Sequence, residues 1–224
     1  MNEEIPDDVD LSRFRPSPRK EACQLYLISP QDVGGAFPDR LRAALGGGPV
    51  AAFQLRVKDI DAHALARLAE PLQAICAEHE VAFIVNDSMA LAKRLGADGV
   101  HLGQSDDDPR EARELLGPTA QIGRTCHDSR HLAMEAGEAG CDYVAFGAFY
   151  PTTTKPSHYR PDPQLLSWWS AIAEIPSVAI GGITPANAAP LIAAGADFVA
   201  VCQAVWGTAN PAAAVAEFER ALAL

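Results

Sequence analysis

Eight short apolar runs recur along the chain, at residues 25–28, 50–55, 81–85, 99–102, 120–123, 143–146, 177–180 and 198–201. They are apolar at successive positions rather than alternate ones, as strands are when both faces of a sheet are covered in a parallel arrangement. Longer amphipathic segments separate them. Leu65, Leu68, Ala69, Leu72, Ile75 and Cys76 share one helical face after Asp61, a predicted N-cap. Asp162-Pro163, Thr184-Pro185 and Asn210-Pro211 each predict an N-cap followed by proline at the first helical position.

A short repeat reinforces the alternation. Gly96-Ala97-Asp98-Gly99-Val100, Gly140-Cys141-Asp142-Tyr143-Val144 and Gly195-Ala196-Asp197-Phe198-Val199 share Gly-(Ala/Cys)-Asp-x-Val. Each lies where a helix should end and a strand begin, with glycine suited to a left-handed helix terminus. Eight strand-helix units in 224 residues, with no break in composition to mark a linker, predict a single-domain (β/α)8 TIM barrel over residues 21–224. The runner-up is a doubly wound open sheet, which calls for a glycine-rich phosphate loop after the first strand. Residues 29–35, Ser-Pro-Gln-Asp-Val-Gly-Gly, do not supply one. Residues 1–20 have neither periodicity and are expected to form a flexible N-terminal arm, with a short helix as the alternative.

Charge narrows the partners. With 18 Lys plus Arg against 29 Asp plus Glu, the formal net charge is −11, which disfavours nucleic acid and anionic membranes as partners. An anionic small molecule stays admissible, because it responds to the local field of its pocket. The five cysteines are scattered and form no C-x-x-C pair, which fits a reducing cytoplasm better than a disulfide framework or a zinc site. No signal-peptide core or membrane-length apolar run is present.

In a barrel of this kind the chemistry gathers at the C-terminal ends of the strands. The second run leads to Gln54, Arg56 and Lys58, which alternation places on one side as an anion clamp with a neutral neighbour. The third leads to Asn86 and Asp87, which could be no more than a helix cap, and the fourth to Asp106. Two carboxylates beside two cations suit a magnesium–polyphosphate site, whereas Asp107 and Asp108 read as solvated charges at a helix start. The fifth leads to Thr125, Cys126 and His127; Cys126 reads as buried rather than nucleophilic. The loop after the sixth, with Thr152, Thr154 and Lys155, can fold over an anion. Gly181-Gly182 after the seventh and Cys202-Gln203 after the eighth stand where barrels often hold a phosphate on backbone amides.

The segments FQLRVKD (53–59), VND (85–87), DGVHLGQSD (98–106), PTTTK (151–155) and AIGGIT with the following NA (179–184, 187–188) resemble the thiamine phosphate synthase family in order and spacing, over residues 24–206. The resemblance implies a transferase that joins a pyrimidine pyrophosphate to a thiazole phosphate and releases pyrophosphate, with Mg²⁺ as cofactor. It places Gln54, Arg56, Lys58 and Asn86 on the pyrimidine pyrophosphate, Asp87 and Asp106 on magnesium, and Thr125 and Lys155 on the pyrophosphate side. It places Thr152, Thr154, Gly181, Gly182, Cys202 and Gln203 around the thiazole phosphate. Three positions depart from the family pattern: Val57 replaces a frequent acid, Thr125 a frequent serine, and Cys202-Gln203 an aliphatic-serine pair. Competing readings are a thiazole tautomerase-like isomerase using His127, and a non-catalytic phosphate-binding barrel. Homo-oligomerisation is left open.

Overall fold

In the computed structural model, which describes residues 10–18, 22–152 and 158–223, eight parallel strands close into a barrel in sequence order. The strands are β1 (Gln24–Ile28), β2 (Ala52–Leu55), β3 (Ala82–Asn86), β4 (Gly99–Leu102), β5 (Gln121–His127), β6 (Tyr143–Gly147), β7 (Ser177–Ile180) and β8 (Phe198–Val201). Pairing of Gln24 with Phe198 and of Leu27 with Val201 joins the last strand to the first, so the open sheet is ruled out. The connecting helices are α1 (Phe37–Leu45), α2 (Ala62–Glu78), α3 (Met89–Leu95), α4 (Pro109–Leu116), α5 (Arg130–Glu138), α6 (Gln164–Ile172) and α7 (Ala189–Ala193). A short α8 (Gln203–Trp206) and α9 (Pro211–Leu222) follow β8.

The two-sided apolar character of the strands divides the core into two layers. Leu25, Leu27, Phe53, Phe83, Val100, Val144 and Val199 point outward and pack under the helices. Tyr26, Ile28, Ala52, Ile84, Tyr143, Ala145, Val178 and Ala200 fill the barrel interior. Each large apolar side chain so buried contributes roughly 1.5–3 kcal/mol.

The repeat has a structural purpose that its glycines only partly explain. Gly96, Gly140 and Gly195 all take positive φ where their helices end. The aspartate two residues later then grips the preceding strand: Asp98 Oδ2 accepts from Phe83 N at 2.7 Å, Asp142 Oδ2 from Ile122 N at 2.7 Å, and Asp197 Oδ2 from Ser177 N at 2.8 Å. The same three aspartates donate their own N–H to the carbonyls of Phe83, Ile122 and Ser177. The repeat therefore staples β3 to β4, β5 to β6 and β7 to β8 at the barrel's lower end.

The helix starts follow the sequence with two adjustments. Asp61 caps α2 by accepting from His63 N and Ala64 N, and Asn210 caps α9 with Pro211 at its first position. Asp162 accepts from Gln164 N, so α6 begins one residue later than expected. Thr184-Pro185 does not start a helix. Asn187 Oδ1 accepts from Thr184 N at 2.7 Å and its Nδ2 donates to the Gly182 carbonyl at 3.0 Å, closing a turn that delays α7 to Ala189. Of the N-terminal segment, Leu11–Arg13 form a 3₁₀ turn capped by Asp10, and Ser17 N donates to Ser170 Oγ on α6. Among the described residues no helix is long and apolar enough to cross a membrane.

Candidate active site

The barrel mouth holds the second-, third- and fourth-strand residues close together. Beyond β2, the backbone carrying the two cations is fixed by the loop after β1. Ser29, almost fully buried, donates Oγ to the Arg56 carbonyl and accepts from Arg56 N at 2.8 Å. Gln31 repeats the device one step on, donating Nε2 to the Lys58 carbonyl at 2.6 Å and accepting from Lys58 N at 3.1 Å. The Lys58 ammonium then pairs with the Asp87 carboxylate.

Asp87 has φ 66°, a left-handed conformation uncommon for a side chain other than Asn or Asp. The expected capping role falls instead to Ser88, whose Oγ accepts from Leu91 N at the start of α3. That leaves the Asp87 carboxylate for the mouth. Asp106 stands against it in a tight turn, its Oδ2 accepting from Gly103 N at 2.6 Å. Asp108 caps α4 through Arg110 N, as a helix-start charge should.

The two carboxyls titrate apart because they share one place. Burial raises Asp87, but hydrogen bonds from Lys58 and Asp106 and the charges of Lys58 and Arg56 outweigh it and hold its carboxyl below the ordinary 3.8. Burial, then the hydrogen bond and negative charge of Asp87, push Asp106 above 3.8. One carboxylate is thus matched by Lys58 and the other faces an excess of negative charge, an arrangement that a divalent cation satisfies. Among the described residues no cluster of three or more potential ligand side chains exists, so these two carboxylates stand without a third protein ligand of that kind.

The barrel interior below the mouth carries a polar file among its apolar neighbours. Gln54 Nε2 donates to Tyr26 Oη at 3.0 Å, Tyr26 Oη lies 3.0 Å from Tyr143 Oη, His101 Nδ1 lies 3.1 Å from Tyr143 Oη, and His101 Nε2 lies 2.9 Å from Thr125 Oγ1. Two residues singled out from the sequence, Gln54 and Thr125, are the ends of this file. Gly123 makes room for it, since a Cβ there would overlap the Tyr143 ring.

Strand β5 runs four residues past its expected end, with a register shift between Thr125 and His127. The shift lets Thr125 reach His101 inside the barrel while Cys126 packs in the helix-facing layer. Burial pushes the Cys126 thiol up to about 12, so it stays protonated and unreactive, as expected. Gln104 Nε2 holds the Thr125 carbonyl, and His127 stacks on Tyr159 with centroids 4.2 Å apart.

On the opposite side of the mouth the walls are mostly backbone. Gly181 and Gly182 have φ 101° and 64°, and a Cβ on either would overlap the loop after β6, at Ala148 and at the Pro151 carbonyl respectively. Phe149 N and Tyr150 N donate to the Ile180 and Gly181 carbonyls, seaming the two loops together. Tyr150 Oη donates to the Asn187 carbonyl at 2.7 Å, tying the same loop to the turn that Asn187 closes. Thr152 lies just beyond this seam, half-buried; Thr154 and Lys155 fall outside the described residues. Cys202 follows β8 half-buried, its Sγ donating to the Ser29 carbonyl at 3.5 Å, and Gln203 is exposed.

The structure thus brings Lys58, Asp87 and Asp106 together at the mouth, sets Gln54 and Thr125 at the two ends of the polar file below it, and places Thr152 and the paired glycines on the opposite side. Reading along the chain did not single out Tyr26, Tyr143, Ser29 or Gln31, and it gave His101 no role. The signal available for the first two was a tyrosine at an inward-facing position of a buried strand, which demands a hydrogen-bond partner.

Known proteins match the chain over most of its length. A family model described as thiamine monophosphate synthase matches residues 25–205. A thiamine-phosphate synthase of Erythrobacter litoralis is 66% identical over 204 residues, 89% of this chain and 95% of the relative. One of Rhodospirillum centenum is 54% identical over 202 residues, 89% of this chain and 98% of the relative. The solved thiamine phosphate pyrophosphorylase of Pyrococcus furiosus superposes with a TM-score of 0.80 at 30% identity, covering 89% of this chain and 95% of that one. A (β/α)8 barrel with this mouth, matched by relatives over nearly their full lengths, belongs to the thiamine monophosphate synthase family.

Proposed function

We propose that the chain transfers the (4-amino-2-methylpyrimidin-5-yl)methyl group from its pyrophosphate to the ring nitrogen of 4-methyl-5-(2-phosphoethyl)thiazole, giving thiamine monophosphate and pyrophosphate. The observation that carries this reading is the Asp87–Asp106 pair, with Lys58 on one member and Arg56 close enough to act on it. Asp87 and Asp106 would hold Mg²⁺, and two carboxylates fit an ion that completes its shell from water and substrate phosphates. When bound, Mg²⁺ supplies positive charge to a leaving pyrophosphate of about −3.

The chain's own residues do the rest. Arg56, Lys58 and Lys155 neutralise the pyrophosphate as the methylene carbon–oxygen bond breaks and the electron pair leaves with oxygen. Gln54 and Asn86 hold the aminopyrimidine, whose ring carries the resulting cation. Thr125 bonds the pyrophosphate side. Thr152, Thr154, the Gly181-Gly182 turn and the Cys202-Gln203 backbone seat the thiazole phosphate so that the ring nitrogen lone pair forms the new carbon–nitrogen bond. No proton is transferred and no protein nucleophile is used, which agrees with a Cys126 thiol held neutral. The setting is cytoplasmic and the substrates are small molecules.

Incubating the purified chain with both substrates and Mg²⁺ tests the proposal. Thiamine monophosphate and pyrophosphate should appear in equal amounts; formation of neither overturns it.

A further inference from the structure

We propose that Tyr26, Tyr143 and His101 form a one-way hydrogen-bond relay from the Gln54 amide to Thr125, which leaves the Thr125 hydroxyl proton free to be donated to an anion in the mouth. The significance of that donor rests on the reading of Thr125 as a pyrophosphate contact; the direction of the relay does not.

The direction follows from counting donors. A glutamine amide nitrogen has protons to give and no lone pair to receive one. Gln54 Nε2, 3.0 Å from Tyr26 Oη, therefore donates. The Tyr26 proton must go to its other partner, Tyr143 Oη at 3.0 Å. Tyr143, having accepted there, gives its own proton to His101 Nδ1 at 3.1 Å. A neutral imidazole accepting at Nδ1 carries its hydrogen on Nε2, which lies 2.9 Å from Thr125 Oγ1 and donates to it. Thr125 has then accepted one bond and still has a proton to give. The Gln54 Oε1 is left as an acceptor in the same way, suited to an exocyclic amino group.

Three further features support the relay. Burial pushes Tyr26 up to about 12 and Tyr143 well above its ordinary value, so both hydroxyls keep the protons that the relay passes along. His101 stacks on the Tyr143 ring, with centroids 5.6 Å apart and planes 24° from parallel, which fixes the face its Nδ1 presents. Gln104 pins the Thr125 backbone from the other side. Tyr26, Tyr143 and His101 are positioning residues, acting on substrate through Gln54 and Thr125. Reversal of the Gln54 amide would reverse every bond in the file, placing the hydrogen on His101 Nδ1 and making Thr125 donate inward. The tautomer of His101 therefore reports the direction of the whole chain.

Long-range ¹H–¹⁵N correlation of the histidine rings in the full chain, without ligand, reads that tautomer. The His101 signals are identified by their loss in His101→Gln or by their displacement in Tyr143→Phe. A neutral Nε2–H ring is expected; an Nδ1–H or doubly protonated ring overturns the relay. Tyr143→Phe keeps the ring in its Gly123 pocket and removes only the hydroxyl. It should leave His101 as a mixture of tautomers and weaken Mg²⁺-pyrophosphate binding about fivefold by calorimetry, the loss of one modest hydrogen bond. An unchanged tautomer in that variant overturns the relay as well. If Tyr143→Phe fails to fold, the wild-type spectrum still decides. Because the tautomer is read without substrate, failure of the transfer assay and failure of the relay are separate observations.

Discussion

At the lower end of the barrel Asp98, Asp142 and Asp197 each accept from a backbone N–H at the start of the preceding strand, while at the mouth Asp87 and Asp106 press their carboxyls against each other. The lower three are matched by donors that the fold itself supplies, and their charge is used up in holding strands together. Of the upper two, Asp87 pairs with Lys58 and feels the charge of Arg56, while Asp106 bears the negative charge of Asp87. Repetition in the sequence marked the first set and not the second. A repeated motif here reports the geometry of a strand entry, whereas the two carboxylates proposed to hold magnesium stand at loop positions that do not resemble one another.

The comparison breaks most sharply under Asp106→Ala. Loss of a proposed magnesium ligand should lower turnover by about 10²–10³-fold, comparable to removing one electrostatic stabiliser of a transition state. The melting temperature should stay close to wild type, since the turn contact to Gly103 and the bond to Asp87 that are lost with Asp106 are offset by relief of the repulsion between the two carboxyls. Turnover and thermal melting measured on the same preparation check both halves. Near-normal turnover would take the residue out of the proposed metal site.

The reverse result is expected of Asp142→Ala. Its carboxylate accepts from Ile122 N and also pairs with Arg113 Nη2 at 2.5 Å, so truncation leaves a strand amide without its acceptor and takes the carboxylate from a guanidinium that keeps its bonds to the Gly117, Ala120 and Gly140 carbonyls. Roughly 2–3 kcal/mol should be lost, lowering the melting temperature by about 5–10 °C, while turnover per folded molecule is retained. A melting temperature within a degree or so of wild type would show that the staple between β5 and β6 is dispensable.

These staples mark where sequence reasoning reached and where it stopped. The barrel was legible because strands buried on both faces, capped helices and glycine-terminated turns are local patterns, and seven of the eight strands ended within a residue of expectation. Strand β5 was the exception, because Arg124, Thr125 and His127 are polar and the register shift that accommodates them depends on β6. Gln54, Lys58, Asp87 and Asp106 were legible as strand-end residues. Tyr26, Tyr143 and His101 were not linked, because the partners are 28 to 117 residues apart and meet only when the barrel closes. Ser29 and Gln31 escaped notice because they hold backbone atoms, which leave no trace in side-chain chemistry.

A smaller loss should follow Asp98→Ala. This aspartate accepts from a single backbone amide, Phe83 N, and its removal should cost about 1 kcal/mol, or a melting temperature lower by about 2–4 °C. If Asp98→Ala proves as damaging as Asp142→Ala, Arg113 adds nothing to the Asp142 staple, and the ranking within the lower set is wrong.

The smallest effect, and the one of opposite sign, is expected from Asp106→Asn in the presence of a chelator. Folding raises the Asp106 carboxyl above 3.8, so the folded chain binds that proton more tightly than the unfolded chain does. Its ionised form therefore costs stability. That cost is absent well below pH 3.8, where the carboxyl is protonated in both states, grows as pH rises through the folded value, and is constant above it. Asp87 has the opposite sign: its carboxyl is lowered by folding, so its contribution is present above 3.8 and lost as pH falls through the folded value. Asparagine at 106 keeps an oxygen for Gly103 N and removes the charge, deleting the first contribution and relieving pressure on the second. The variant should melt slightly higher than wild type at pH 7, by at most about 2 °C for a half-buried pair still screened by solvent, and the difference should vanish toward pH 3. Added Mg²⁺ should reverse the order at pH 7, because the wild-type pair then has a cation to hold and the variant has lost half of its charge for it. A variant that melts lower than wild type in chelator would mean that Asp106 is a stabilising residue like its counterparts at the other end of the barrel.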